Sequence, residues 1–371
     1  MKCSVVRELD TIAAFLKQKG QLHCAVVQGL DLSDLDIDWK KLNFRGAVFL
    51  GCHFPQSVTA EFLIENGAVV FPNIPNIPYK TYRHSLYSRE ELMEGWSERK
   101  DASVDREIYD HYIAKGGSSA DVLESLAQRL HDHSIDDGVR DLLNGRVDAG
   151  QRKKVVGIMG GHSASRDSHF YRQVVRIAWR LTRNGYFIAT GGGPGVMEAG
   201  NLGAWLCDAS ADDVEGVLDL LAKSPTSESD AYTSVAYEVL KQFPDGGASL
   251  AVPTWFYGHE PTNLFAKYIA KYFSNSIRED GLLALANHGV IFSPGSAGTT
   301  QEVFMNATQN HYRTFGTISP MVFLGEERYK RDTMLFPCLE DLAKEQDYGK
   351  MLLCSDEVDA IIDFIHAHPP E

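Results

Sequence analysis

Apolar residues in the second half of the chain fall into short unbroken runs, separated by glycine turns and by longer stretches of helical period. Val155-Val156-Gly157-Ile158-Met159 is such a run. It is too short for a helix and lacks the alternation of a half-exposed strand, so it predicts a strand buried on both faces. Gly160-Gly161-His162-Ser163 reads as a turn, and residues 170–184 repeat with the period of an amphipathic helix that stops at Gly185. Residues 186–190 predict a second strand. Gly191-Gly192-Gly193-Pro194-Gly195 predicts a second turn, opening a helix over 196–206. Strand, turn and helix twice over is the start of an α/β doubly wound parallel sheet, Rossmann-like, with its ligand crevice at the carboxyl ends of the strands.

Residues 208–247 interrupt this alternation. They predict two helices, 211–222 and 235–243, joined by a Ser/Thr/Asp-rich link over 224–233, and read as a partly helical insertion. The sheet pattern resumes at 249–253. A helical stretch is expected over 263–273, placing Tyr268, Tyr272 and Phe273 at helical spacing and Lys267 and Lys271 on one face. A strand at 289–292, a last strand at 320–324 and a closing helix at 358–366 follow.

The first part of the chain has a different texture. It predicts a short helix over 12–18, strands over 24–27 and 47–50, and a proline-rich connector over 71–78 that excludes regular helix or central strand. Ser88 with Glu91 forms a capping box opening a helix at Arg89, and 120–130 has helical periodicity. Residues 136–151 are polar and contain glycine, which puts a boundary near residue 150. The expected organisation is a separate N-terminal α+β domain over 1–150, without a chemical motif, and a Rossmann-like domain over 151–371.

A chain of 371 residues suits two domains, and 44% apolar with 23% charged residues is ordinary for a globular enzyme. The formal net charge of −14 argues against a nucleic-acid partner, which needs a basic face to displace counterions. No run approaches a membrane span, and the N-terminus lacks the apolar core of a signal peptide, so a cytoplasmic location without a membrane partner is expected. The six cysteines are scattered, without metal-ligand spacing, and read as reduced, mostly buried thiols. No metal site is expected.

Residues 293–304, Ser-Pro-Gly-Ser-Ala-Gly-Thr-Thr-Gln-Glu-Val-Phe, bring a small-residue turn directly to a carboxylate. Glu302-Val303-Phe304-Met305 reads as the first turn of a helix. Such a turn aims backbone N–H groups and the positive end of a helix dipole at one point, where an anion such as phosphate is favoured. Thr299 and Thr300 add hydroxyls. The turn at 191–195 is not the GxGxxG of a dinucleotide fold, and no acid follows it where a ribose diol would be bound.

Together the two turns resemble the LOG (Lonely Guy) family of nucleoside 5′-monophosphate phosphoribohydrolases, often labelled lysine decarboxylases. The likeness covers roughly residues 154–330. The family's GGGPGIMEAANRGA-like segment is nearly repeated from Gly191 to Ala204, and its PGGxGTxxE signature is matched from Pro294 to Glu302 with Ser296 replacing the second glycine. A serine there is strained only if its φ is positive. The family's Arg-Lys pair is represented by Arg278, with Glu279 at the lysine's place, and Glu260 stands where another nucleotide-contacting glutamate is found.

The resemblance implies Arg278 and Glu302 as catalytic residues. It implies Gly295, Ser296, Ala297, Gly298, Thr299 and Thr300 as the phosphate site, and Gly192, Gly193, Met197 and Glu260 as further nucleotide contacts. The expected reaction is hydrolysis of a nucleoside monophosphate to free base and ribose 5-phosphate, without metal or organic cofactor, by a homodimer or higher homo-oligomer. A carboxylate beside C1′ suits that chemistry, because it stabilises oxocarbenium character and activates the attacking water. His162 stays outside the catalytic set. Nothing around Lys267 or Lys271 resembles a pyridoxal phosphate site, so the decarboxylase label has no support. The alternative is a non-catalytic carrier or sensor that holds a nucleotide or other phosphate ligand on the same fold.

Overall fold

Ala25, Ala47 and Ala68 mark one backbone motif repeated three times in the computed structural model, which describes residues 4–6, 12, 16, 21–147 and 151–371. By compactness the chain divides into two units. One comprises Met1–Leu86 with His111–Arg140; the other comprises Tyr87–Asp110 with Asp141–Glu371. The segment Tyr87–Asp110 therefore groups with the second unit. The expected boundary near 150 adjoins residues 148–150, which lie outside the described residues.

In the first unit, strands β1 (Ser4–Val6), β2 (Ala25–Gln28), β3 (Val48–Leu50) and β4 (Val69–Phe71) form a parallel sheet in chain order. Its register stacks Val26 on Val48 and Val48 on Val69. Cys24, Gly46 and Gly67 precede the last three strands, all in left-handed backbone with φ of 55°, 72° and 89°. The same turn thus recurs roughly every 22 residues, which is the mark of stacked repeat coils. Two of these strands, β2 and β3, match the runs predicted over 24–27 and 47–50. Trp39, Phe44, Phe49, Phe54 and Phe62 interlock beneath the sheet. Helix α1 (Ala60–Glu65) is capped by Thr59, whose hydroxyl accepts from the Phe62 N–H at 3.2 Å. The helix expected over 12–18 lies mostly outside the described residues; Ile12 and Leu16 are helical.

Helix α2 (Arg89–Leu92) starts where the cap predicts, the Ser88 hydroxyl accepting from the Glu91 N–H at 3.2 Å. A hairpin of β5 (Trp96–Ser97) and β6 (Lys100–Asp101) leads to α3 (Val104–Ala114) and α4 (Val122–Leu143). The expectation of a helix only over 120–130 is corrected: α4 runs on to Leu143. Ile135, Val139 and Leu142 continue the buried stripe begun by Ala127, and burial of that stripe outweighs the polar texture and Gly138.

The second unit is built on strands β7 (Val155–Met159), β8 (Phe187–Thr190), β9 (Leu250–Ala251), β10 (Tyr268–Ile269), β11 (Val290–Phe292), β12 (Met321–Phe323) and β13 (Leu352–Cys354). All are parallel, in the order β10-β9-β8-β7-β11-β12-β13. The chain starts at the centre, winds to one edge, returns and winds to the other, so the sheet is doubly wound and its topological switch point lies between β7 and β11. The connecting helices are α5 (His169–Arg183), α6 (Val196–Trp205), α7 (Ala211–Leu221), α8 (Tyr232–Gln242), α9 (Asn275–Leu285), α10 (Ala297–His311), α11 (Leu335–Ala343) and α12 (Val358–Ala367). The two helices expected in the 208–247 insertion are α7 and α8.

Three expectations are corrected here. The stretch 263–273 is not a helix: Tyr268 and Ile269 pair with Leu250 and Ala251, and the helix begins at Asn275. β-forming residues meeting an open strand edge outweighed an apparent helical period, so Lys267 and Lys271 share no helix face. The strand at 320–324 is not the last, since β13 follows it. Of the five described cysteines, all free, only Cys354 is buried; Cys338 is exposed and the others are half-buried. No helix among the described residues is long and apolar enough to cross a membrane.

Candidate functional site

The two loops leaving β7 and β11 touch at the switch point, where the Gly161 N–H donates to the Pro294 carbonyl at 3.0 Å. A side chain at Gly295 would strike Thr299, which folds back over it. After this tight turn α10 begins at Ala297, five residues before Glu302, so Glu302 sits in the second turn and not the first as expected. The polar, small residues 297–301 are helical because tertiary packing of α10 recruits them.

This places the helix N-terminus among the predicted phosphate residues. The N–H groups of Ala297, Gly298 and Thr299 have no carbonyl one turn earlier in the helix. The Ser296 side chain does not cap them, no acid stands in the first turn, and Ser296, Ala297 and Gly298 are exposed. The Thr300 hydroxyl donates to the Ser296 carbonyl at 3.3 Å. Ser296 has φ −102°, so serine at the family's glycine position carries no left-handed strain. The open, uncapped N-terminus is suited to an anion.

From the other side of the switch point, the turn after β8 brings Gly191, Gly192 and Gly193 against three of the predicted residues. Gly192 has φ 78°, which favours glycine. A Cβ on Gly191 would collide with Arg278 Nη2, and one on Gly193 would lie 2.7 Å from Glu260 Oε2 and 2.8 Å from Met197 Cε. The glycines are thus required by the side chains laid over them. Arg278 is buried; its Nε donates to the Val252 carbonyl at 2.8 Å and its Nη2 to the Gly191 carbonyl at 3.1 Å. Its Nη1 lies 4.0 Å from Glu302 Oε1.

Glu302 is 9% exposed, and burial pushes its carboxyl up to about 7, Arg278 opposing the rise and Glu279 adding to it. Glu279 is itself buried and accepts from Gln301 Nε2 at 3.0 Å. The glutamate at the family's lysine position therefore places a like charge near Glu302 instead of a cation.

Sequence reasoning missed several residues that hold the site. Arg328, in a π-helical turn (Arg328–Asp332), donates to the Gly295 carbonyl at 3.0 Å, and the Tyr329 hydroxyl donates to the Ser293 carbonyl at 2.9 Å. Asp105 is fully buried and accepts from Lys271 Nζ at 2.7 and 2.9 Å, from Trp255 Nε1 at 2.8 Å and from the Thr262 hydroxyl at 2.9 Å. Trp255 and Thr262 flank Glu260, so this buried charge pair pins the loop that carries it. Nothing in their sequence spacing marks these partners. Glu198, inside the first signature, has a structural role: Arg166 forks onto it at 2.9 and 2.6 Å, Tyr171 donates to it at 2.8 Å, and the Arg166 guanidinium lies 3.5 Å over the Tyr232 ring. That last contact ties the insertion to the glycine turn. Pro225, Thr226, Glu228 and Tyr232 accordingly face His162 and Gly195 across a cavity of about 210 Å³.

Fold and crevice together define an α/β protein with a Rossmann-like doubly wound sheet and a loop-lined site at its switch point. No family model and no curated protein matches the sequence. Among solved structures, the molybdenum cofactor binding protein from Rippkaea orientalis matches with a TM-score of 0.37 and 14% identity, over 59% of this chain and 98% of that one. The Moco carrier protein from Chlamydomonas reinhardtii matches with a TM-score of 0.36 and 15% identity, over 58% of this chain and 99% of that one.

Proposed function

We propose that this protein hydrolyses the N-glycosidic bond of a nucleoside 5′-monophosphate, releasing the free base and ribose 5-phosphate. The observation that carries the reading is Glu302: a buried carboxyl pushed up to about 7, 4.0 Å from Arg278, on the helix whose open N-terminus suits a phosphate. A carboxyl titrating near neutrality is matched to proton transfer at ordinary pH. The 5′-phosphate takes the N–H groups at the start of α10, which fixes the ribose and turns binding energy into orientation of the bond to be broken. As the C1′–N bond breaks, its electron pair leaves with the base. Water forms the new bond to C1′ and gives its proton to Glu302, which returns it to the departing base. Arg278, held by two backbone carbonyls, keeps its third nitrogen toward the Glu302 carboxylate and steadies it when ionised.

The resemblance in the two glycine signatures supports the same reading, and a homodimer is its natural assembly. Exposed Ile277 on α9 and Phe304 on α10, apolar residues on helices that bear Arg278 and Glu302, support a subunit contact there. Incubation with AMP, GMP, CMP and an isopentenylated AMP, followed by assay for free base, tests the activity. Binding without release of base from any of them would overturn it in favour of a non-catalytic nucleotide-binding protein.

A further inference from the structure

A second cavity, of about 340 Å³, opens beside the Glu260 loop and is lined by Trp96, Asp101, Ser103, Glu228, His259 and Thr262 among others. Its volume is within the roughly 300–1,000 Å³ of small-molecule sites. Three separate elements build it: the β5–β6 hairpin brings Trp96 and Asp101, the link between α7 and α8 brings Glu228, and the loop after β9 brings His259 and Thr262. Pro261 and Thr262 also line the cleft that contains Gly192 and Glu260. The cavity therefore adjoins the glycine turn through the loop that carries Glu260.

Its lining includes no lysine or arginine, which makes it a poor place for a phosphate. Asp101 and Glu228 when ionised only accept hydrogen bonds. Asp105, at the same wall, is spent on Lys271, Trp255 and Thr262. His259 Nε2 is buried and makes no hydrogen bond; the nearest carboxylate oxygens, of Asp101 and Asp105, are 3.6 and 3.8 Å away. Burial favours the neutral ring. Trp96 and Met93 give the cavity an apolar flank beside these acceptors, and one Asp101 oxygen already accepts from the Ser103 N–H and hydroxyl at 3.2 and 2.6 Å.

We propose that this cavity receives the base of the nucleotide and selects heterocycles that present an amino group to Asp101 and Glu228. The proposal rests on the nucleotide reading above and adds to it the class of base. A 6-amino purine or 4-amino pyrimidine donates to the carboxylates, whereas the corresponding oxo base turns carbonyl lone pairs toward them. That exchange loses a hydrogen bond to a charged group and sets carbonyl lone pairs against the carboxylates.

The test compares AMP with IMP and CMP with UMP, pairs that differ at that group, by calorimetric binding to the Glu302→Gln protein so that nothing is turned over. The expected result is at least about tenfold tighter binding of AMP and CMP than of their partners, from one hydrogen bond to a charged group. Adding Asp101→Asn and Glu228→Gln, which keep side-chain shape, should abolish the preference while inorganic phosphate binds as before and the melting temperature is retained. Equal or tighter binding of IMP and UMP, a preference that survives both substitutions, or no binding of any of the four overturns the proposal. Base release by the unmodified protein is scored separately. Amino preference in binding without base release keeps the base pocket and removes the hydrolase reading, and base release without preference does the reverse.

Discussion

Arg278 Nη1 and Glu302 Oε1 face each other at 4.0 Å across the switch point, one on α9 and the other on α10, with both side chains nearly buried. The distance is too long for a hydrogen bond but short for two opposite charges in a poorly solvated site. Glu302 nevertheless titrates near 7, so burial and Glu279 outweigh the arginine. Replacing Glu302 with glutamine keeps the shape and removes the titration. Base release should fall about 10²- to 10⁴-fold, the usual contribution of a positioned acid–base group, while phosphate and nucleotide binding persist. Full activity of the variant would remove Glu302 from the chemistry.

The same carboxyl makes stability depend on pH. Its pKa is raised on folding, so its contribution to stability is present at pH below the ordinary glutamate value of 4.5 and is lost as pH rises through about 7. The Glu302→Gln protein should therefore gain on the parent as pH rises across that window, by up to about 3 kcal/mol at its upper end. Urea unfolding at pH 4.5 and pH 8 measures the difference; a gap that does not change with pH contradicts the assignment.

Glu279→Gln removes the like charge near Glu302. The carboxyl should then titrate at lower pH, and the acidic limb of the kcat/KM profile should move the same way. An unmoved limb would mean that Glu279 does not act on the reacting carboxyl.

Gly191→Ala adds one methyl group against Arg278 Nη2 and Met197 Sδ. It alters no charge, yet it should displace the guanidinium from the Gly191 and Val252 carbonyls and lower kcat. Misplacement by about 1 Å can cost on the order of 10²-fold. Unchanged kcat in a variant that melts normally would show that the arginine's position is not critical.

Asp105→Asn leaves Lys271 buried without its counter-ion. Breaking such a pair costs about 3–5 kcal/mol, seen as a lower urea midpoint. A midpoint within error of the parent would contradict the proposed pinning of the Glu260 loop.

What the chain itself determined lies in its local patterns. Val155–Met159 can satisfy its four apolar side chains only with cover on both faces, and Gly191 to Gly195 can turn tightly because glycine tolerates positive φ, so a doubly wound sheet with loops at one end was legible. Arg278, Glu302, Glu260 and the glycines were also legible as chemical types, and the fold brings them together. The tertiary structure decided what local pattern leaves open. Tyr268 and Ile269 became a strand because β9 offered an edge, and α4 reached Leu143 because its stripe had a surface to cover. It also decided that Ser296 sits at an ordinary φ, that Arg328, Tyr329 and Asp105 hold the loops, and that Glu302 titrates near 7. These are properties of burial and of partners distant in sequence, because a side chain's dielectric surroundings and its hydrogen-bond partners exist only once the chain has closed around it.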